Sequence, residues 1–281
     1  MRDYKVKNVA VLSRAFEVLR VLQEMRTASL HDLHLATGIP KSSLLRILAT
    51  AHQSGLVWQR MVDGAFVPSY TLQPRVEVDN ADWLVEIASP VMEQLTKRVL
   101  WPSVLSVPRL DHVETLESNS SKAYFHELPA NPRGFRVNML RSASGRAYLA
   151  YCPPQELQAV LKRLQARKGP GHAIASDPNA IRQLVESTRQ RGYATRTSDF
   201  GGDYELTRHD SDDGRSSIAV PIRLEGHVLG CMNLTWRRDV APLQEIVRLY
   251  LYDLRHAVAV VEKQIRDSRP DLVASWTPPP H

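Results

Sequence analysis

The chain has 281 residues, 43% of them hydrophobic, which is enough for two domains with buried cores. No apolar run approaches the ~20 residues that cross a bilayer, and the charged start, Met1-Arg2-Asp3-Tyr4-Lys5, is unlike a secretory leader, so a soluble cytoplasmic protein with no membrane partner is expected. The net charge of +6 suits a polyanionic partner and is unevenly spread: the first 60 residues hold nine Lys/Arg against four Asp/Glu, a local balance of +5.

Val11, Ala15, Val18, Leu19 and Leu22 recur with helical period, which predicts a first helix over about 9–26. A second spans 30–37, with Ser29 as its N-cap and Gly38 as a left-handed C-cap. Pro40 suits the first turn of a third helix over 40–54, whose Leu44, Ile47, Leu48 and Ala51 form one buried face. Lys41, Ser42, Ser43 and Arg46 fall off that face at its N-terminal end, where the second helix of a helix-turn-helix meets bases and phosphates. A solvated basic face is the plain alternative. Residues 56–60 and 65–72 read as two strands joined at Asp63-Gly64 by a tight hairpin turn, with Pro68 suggesting an exposed edge. Three helices followed by a hairpin make a winged helix-turn-helix.

Residues 73–80, containing Pro74, form a candidate boundary before a linking helix over 80–99, which Pro90 should kink or break. Strands follow at 103–108 and 112–118, then an irregular stretch at 124–138. Helices are predicted over 142–151, 156–166 and 178–191, the last capped by Asp177. Strands at 217–224 and 227–236 and an amphipathic helix to about 268 complete the pattern. The fold class is therefore α+β, with domains at 1–79, 80–99 (linker helix) and 100–270, and a disordered tail at 271–281. Cys152 and Cys231, far apart in apolar contexts, read as buried thiols.

Several motifs together resemble the IclR family of transcriptional regulators over nearly the whole chain. They are Ser13-Arg14-Ala15, Gly38-Ile39-Pro40-Lys41-Ser42-Ser43, Gly55-Leu56-Val57, Ser142-Ala143-Ser144-Gly145-Arg146-Ala147, Arg191-Gly192-Tyr193, Ser217 to Ile222 and Val228 to Leu234. The resemblance implies a winged helix-turn-helix bound to a double-stranded DNA operator, a linker helix, and a C-terminal GAF-like α/β effector-binding domain with an antiparallel sheet. It also implies a small aromatic or aliphatic carboxylate effector, a homodimer or tetramer and no cofactor. Within the family the chain is most similar to activators of hydroxyphenylpropionate catabolism, through Val99-Leu100-Trp101-Pro102, the stretch from Ser144 to Pro153 and the run from Ser217 to Asn233. An activator would add RNA polymerase as a partner. The pattern departs from the family at Asn131-Pro132-Arg133-Gly134-Phe135.

Strand alternation puts Leu229, Cys231, Asn233 and Thr235 on one face, and Ser217 and Ala219 on one face of the neighbouring strand. Short neutral donors can hold a carboxylate without burying an opposite charge. The family's effector-contacting positions match Ser217, Asn233 and Thr235, and Cys231 shares their face. His126 and Arg133 flank the irregular stretch and could pair with an acid, while Ser144 could act through a helix N-terminus. For each the plain alternative is a solvent-facing, capping or core residue, and Trp101, which could stack on an aromatic ligand, is better suited to core packing. The acids from Asp199 to Asp213 could hold a hard metal, but no metal motif fits them. Without a nucleophile elbow, Walker loop, dinucleotide fingerprint or zinc signature, no enzyme is expected; the alternative is a hydrolase or metal enzyme with an accessory DNA-binding-like domain.

Overall fold

A computed structural model describes residues 9–69, 81–125, 131–167, 169–202, 209 and 212–268. The readings made on Tyr4, Pro74, His126, most of the acidic stretch 203–211 and the tail 271–281 lie outside these residues. The chain divides into two compact units, Met1–Glu86 and Ile87–His281.

In the first unit, α1 (Ala10–Met25), α2 (Leu30–Thr37) and α3 (Lys41–Gln53) precede a two-stranded antiparallel sheet of β1 (Val57–Gln59) and β2 (Phe66–Pro68). The short helix α2 is fixed at both ends. Ser29 and Asp32 form a reciprocal capping box, and Gly38, at φ 66°, closes the C-terminus by donating to the His34 carbonyl. Pro40 stands one position earlier than expected: it is the N-cap of α3, and its carbonyl accepts from Ser43 and Leu44. Val18, Leu22, Leu33, Leu44 and Leu48 form the core where the three helices meet. A bridge between Ala28 and Phe66 ties the start of α2 to the hairpin.

Two expectations for the hairpin change. Asp63-Gly64 does not form a two-residue turn, because Arg60 N–H donates to the Ala65 carbonyl and residues 61–64 lie beyond that pair. Asp63 instead accepts from the Arg60 guanidinium (3.1 Å and 2.5 Å) and the Ala65 amide, and these bonds favour the wider loop. Pro68 is buried, not exposed: it ends the pairing opposite Val57, where its missing N–H breaks no longer ladder.

The division between the units falls inside α4 (Asp82–Leu95), which runs unbroken through Pro90. Burial of Ala88, Val91 and Met92 around the proline offsets the lost backbone hydrogen bond, so the expected break does not occur.

The second unit is built on a six-stranded sheet of β3 (Ser103–Pro108), β4 (His112–Ser118), β5 (Arg136–Asn138), β6 (Ala194–Thr195), β7 (Arg215–Leu224) and β8 (His227–Arg237). Its order is β5-β4-β3-β8-β7-β6 with every neighbour antiparallel. Helices α5 (Ala143–Tyr151), α6 (Pro154–Gln165) and α7 (Pro178–Arg191) share a core with Ala219 and Cys231 on one face. The long helix α8 (Leu243–Ser268) packs on β7, and its Val258 lines a groove with Val220.

The alternation read for the last strand holds from Cys231 to Thr235 and fails below it. Ile222 pairs with Gly230 but Arg223 pairs with Val228, so Leu229 is an extra residue, a β-bulge. The bulge turns Val228 into the same core as Cys231. A second bulge places Leu105 opposite Glu117 and Ser106 opposite Thr115.

Candidate functional site

The first unit presents Lys41, Ser42 and Arg46 to solvent, with Ser43 half-buried, along the first turns of α3. Leu44 and Leu48 are buried beneath them and fix the azimuth of this polar face. Pro40 supplies no side-chain cap, so the helix start keeps unsatisfied N–H groups beside Lys41. Together they offer positive charge and donors to an anion at one helix end.

The second unit contains a cavity of about 60 Å³ between the sheet and the start of α5. Ser217, Asn233, Thr235 and Ser144 all line it. They form one hydrogen-bonded chain. Asn233 Nδ2 donates to Ser144 Oγ at 3.1 Å, and Thr235 Oγ1 donates to Asn233 Oδ1 at 3.2 Å. Ser217 Oγ lies 3.0 Å from Thr235 Oγ1. A hydroxyl has one proton, and that of Thr235 is directed at Asn233, so Ser217 is the donor to Thr235. The chain therefore runs in one direction and ends on Ser144, whose own proton has no acceptor among the described residues.

The backbone adds further donors at this end. Ser142 caps α5 by accepting from the Gly145 amide at 3.0 Å. The amides of Ala143 and Ser144, the first of the helix, have no partner among the described residues, and both residues stand in the cavity wall. Gly145 is required there, because a Cβ would lie 2.2 Å from the Met139 carbonyl oxygen. Across the cavity Thr115 is 1% exposed, and its Oγ1 has no hydrogen-bond partner among the described residues. Such a buried hydroxyl is costly unless something bonds to it.

Two arginines, Arg196 and Arg215, stand in the lining, and Arg196 is paired with a carboxylate. Arg196 donates to both carboxylate oxygens of Asp213 (3.2 Å and 3.1 Å) and to the Phe200 carbonyl, and lies over the Phe200 ring. An acid in the cavity would thus meet neutral donors and a helix N-terminus, with Arg215 also in the wall.

Cys231 and Arg133 do not line the cavity. Cys231 lies beneath it and donates its thiol proton to the Ser144 carbonyl at 3.3 Å; complete burial pushes its thiol pKa upward. Arg133 is half-buried and reaches the Leu116 carbonyl at 3.5 Å. Trp101 is buried and stacks on Phe125, ring centroids 4.2 Å apart. The described members of the acidic stretch face arginines: Asp199 approaches Arg141 at 3.5 Å, and Asp212 pairs with Arg238. Sequence reasoning missed Thr115, Ser106 and the Arg196–Asp213 pair. The small hydroxyls Ser106, Thr115, Ser118 and Ser120, on or just after β3 and β4, are the signal that could have found the cavity's far wall.

A helix-turn-helix unit with an exposed basic helix start, joined in one chain to a unit with a donor-lined cavity, defines a ligand-responsive DNA-binding transcriptional regulator. Residues 11–60 match the IclR helix-turn-helix domain, and residues 78–238 match the bacterial transcriptional regulator IclR C-terminal domain. The chain belongs to the IclR family. It is 24% identical over 201 residues to the HTH-type transcriptional regulator KipR of Bacillus subtilis, covering 69% of this chain and 76% of the relative. To the transcriptional repressor IclR of Escherichia coli it is 24% identical over 196 residues, 66% of this chain and 68% of the relative. The fold resembles the crystal structure of Thermotoga maritima IclR, with a TM-score of 0.52 at 19% identity, covering 92% of this chain and 99% of the other. It also resembles an IclR homolog from Microbacterium hydrocarbonoxydans complexed with 4-hydroxybenzoate, with a TM-score of 0.50 at 26% identity, covering 92% and 100%. These families and relatives are transcriptional regulators, not enzymes.

Proposed function

We propose that the chain is a cytoplasmic activator of an operon for degrading an aromatic carboxylic acid, and that the acid binds in the cavity of the second unit. The observation that carries this reading is the directed chain Ser217–Thr235–Asn233–Ser144, which delivers its last proton beside the unbonded Ala143 and Ser144 amides. A carboxylate accepts from all three donors, and a further ligand oxygen can satisfy Thr115. Pro102, Val104, Val137 and Phe200 give the remainder of the acid an apolar wall. The 26%-identical homolog complexed with 4-hydroxybenzoate supports an aromatic acid.

On this reading Lys41, Ser42, Ser43 and Arg46 meet the operator, and the chain acts as a dimer through its first unit. Val9 at the N-cap and Leu12 and Phe16 on α1 support the dimer: they recur at helical spacing and are exposed, Phe16 by 65%. A two-fold dimer repeats the recognition helix on two half-sites.

Calorimetry on the full chain tests the effector assignment. 4-Hydroxybenzoate and 3-(3-hydroxyphenyl)propionate should bind, and 4-hydroxybenzamide, which has the same ring but no charge, should bind at least tenfold more weakly. Equal binding of acid and amide, or binding of neither acid, would refute the carboxylate reading.

A further inference from the structure

The cavity has a second polar pole that the relay from Ser217 to Ser144 does not serve. Ser106 on β3 and Thr115 on β4 stand opposite each other in the sheet, line the cavity, and are each 1% exposed. Neither side-chain oxygen has a hydrogen-bond partner among the described residues, and the two do not bond to each other. Ser118, further along β4, is by contrast already bonded: it donates to the Ser103 carbonyl at 3.3 Å and accepts from the Ser120 amide at 3.2 Å. Two buried hydroxyls left unpaired side by side are costly unless a ligand or water completes them.

The pole is a product of the β-bulge. In regular pairing Ser106 would face Leu116. The register shift between Leu105 and Ser106 leaves Leu116 without a partner and brings Thr115 opposite Ser106. Leu116 is buried but takes no part in the cavity wall. The bulge thus re-aims the strand, setting a hydroxyl where an isobutyl group would have stood.

The register also gives the distance from the carboxylate end. Val104 pairs with Asn233, and Ser106 with Cys231, whose thiol donates to the Ser144 carbonyl at 3.3 Å. Thr115 lies one strand beyond Ser106. From β8 to β4 is two strand spacings, ~10 Å. Hydrogen bonds of about 2.8 Å at each end take up part of this width. A single six-membered ring bridges the rest, against Val104 and Val137.

The chemistry of the pole selects the group that fits it. A ligand hydroxyl accepts from one of the two side chains and donates to the other, completing both. A second carboxylate only accepts. It would also carry charge to the end of the cavity farthest from the two arginines in its wall, since Arg215 on β7 and Arg196 just after β6 are three or more strands from β4. A methyl group makes neither bond.

We propose that Ser106 and Thr115 are specificity-determining residues that read a hydroxyl on the ring of the bound acid, on the side away from its carboxylate. This rests on the carboxylate reading above and narrows it to hydroxy acids.

Calorimetry on the full-length protein with matched acids tests it: 4-hydroxybenzoate against 4-methylbenzoate, and 3-(3-hydroxyphenyl)propionate against 3-(3-methylphenyl)propionate. Within each pair only a hydroxyl is exchanged for a methyl of similar size. Wild type should bind at least one hydroxy acid about tenfold to a hundredfold more tightly than its methyl partner, which strands two buried hydroxyls. Ser106→Ala and Thr115→Val should each lose part of that preference, and the double variant should abolish or reverse it. Thr115→Val keeps the side chain's shape and removes an unpaired buried group, so its thermal unfolding should be unchanged or raised. A merely structural hydroxyl would lower the unfolding temperature and leave the preference unaltered, which would overturn the proposal. Equal binding of hydroxy and methyl acids by wild type, as when trapped water serves the hydroxyls, would overturn it while the carboxylate reading stands. If none of the four acids binds, the carboxylate reading fails and this assignment falls with it.

Discussion

Replacing Asn233 separates the stability of the cavity from its affinity for an acid. Asn233→Ala removes two hydrogen bonds, to Ser144 Oγ and from Thr235 Oγ1, at 3.1 Å and 3.2 Å. At ~0.5–1.5 kcal/mol each, the loss is bounded by ~1–3 kcal/mol. Asn233 is only half-buried and its partners line a cavity that admits water, so the lower bound applies, near ~1 kcal/mol. For a unit of this size that lowers Tm by about 2–4 °C. The acid suffers more, because the Ser144 proton is no longer held in place by the amide behind it. Losing one hydrogen bond to a charged group costs ~1.5–3 kcal/mol, a tenfold to hundredfold rise in Kd. Asn233→Asp sharpens the contrast. It preserves shape and the bond from Thr235, but it turns the donor into an acceptor and sets a negative charge beside the carboxylate. Two like charges ~4 Å apart repel by ~4 kcal/mol at an effective dielectric of ~20, roughly a thousandfold in affinity. Thermal unfolding and calorimetry with 4-hydroxybenzoate read the two effects separately. An Asn233→Asp variant that binds the acid as tightly as wild type would refute the reasoning, whatever its stability.

Three further outcomes follow from particular residues. Arg46→Ala, on the exposed face of α3, should cost ~1–3 kcal/mol of operator affinity if the guanidinium reads a base, and otherwise lower the salt dependence by about one unit; titration against operator and unrelated duplex at two salt concentrations decides. Gly145→Ala drives a methyl into the Met139 backbone and should destabilise the protein by ~1–3 kcal/mol, about 2–12 °C in thermal unfolding. Burial pushes the Cys152 thiol up to about 12 and the Cys231 thiol further, so both stay protonated at pH 8 and iodoacetamide should label neither until denaturant is added.

The helices of the first unit were readable because their signals are local: an apolar period, Ser29 before the second helix and Gly38 after it. The central strands were readable for the same reason. β5 and β6, three and two residues long, are too short to show any period. Of the kink or break read from Pro90, the break does not occur, because propensity is local, whereas the burial that keeps α4 continuous is not. In the cavity the alternation from Cys231 to Thr235 correctly grouped residues by face, but a face has no depth, and Cys231 lies below the wall that Asn233 forms. Thr115 was hidden by the bulge that shifts β4 by one residue against β3. The Arg196–Asp213 pair joins positions 17 residues apart, a distance no helical or strand period can reveal.

The cavity's donors and its apolar lining come from different sources, and this bears on how such a regulator changes its diet. The donors are two backbone amides and a relay of four side chains locked into a single polarity, so altering any one disturbs the others. Val104, Val137 and Phe200 belong to no such relay and can be exchanged one at a time. The donor end recognises a functional group, while the lining selects among molecules that carry it. Gene duplication followed by substitutions confined to the lining would give a descendant tuned to a different acid, with the carboxylate socket inherited intact.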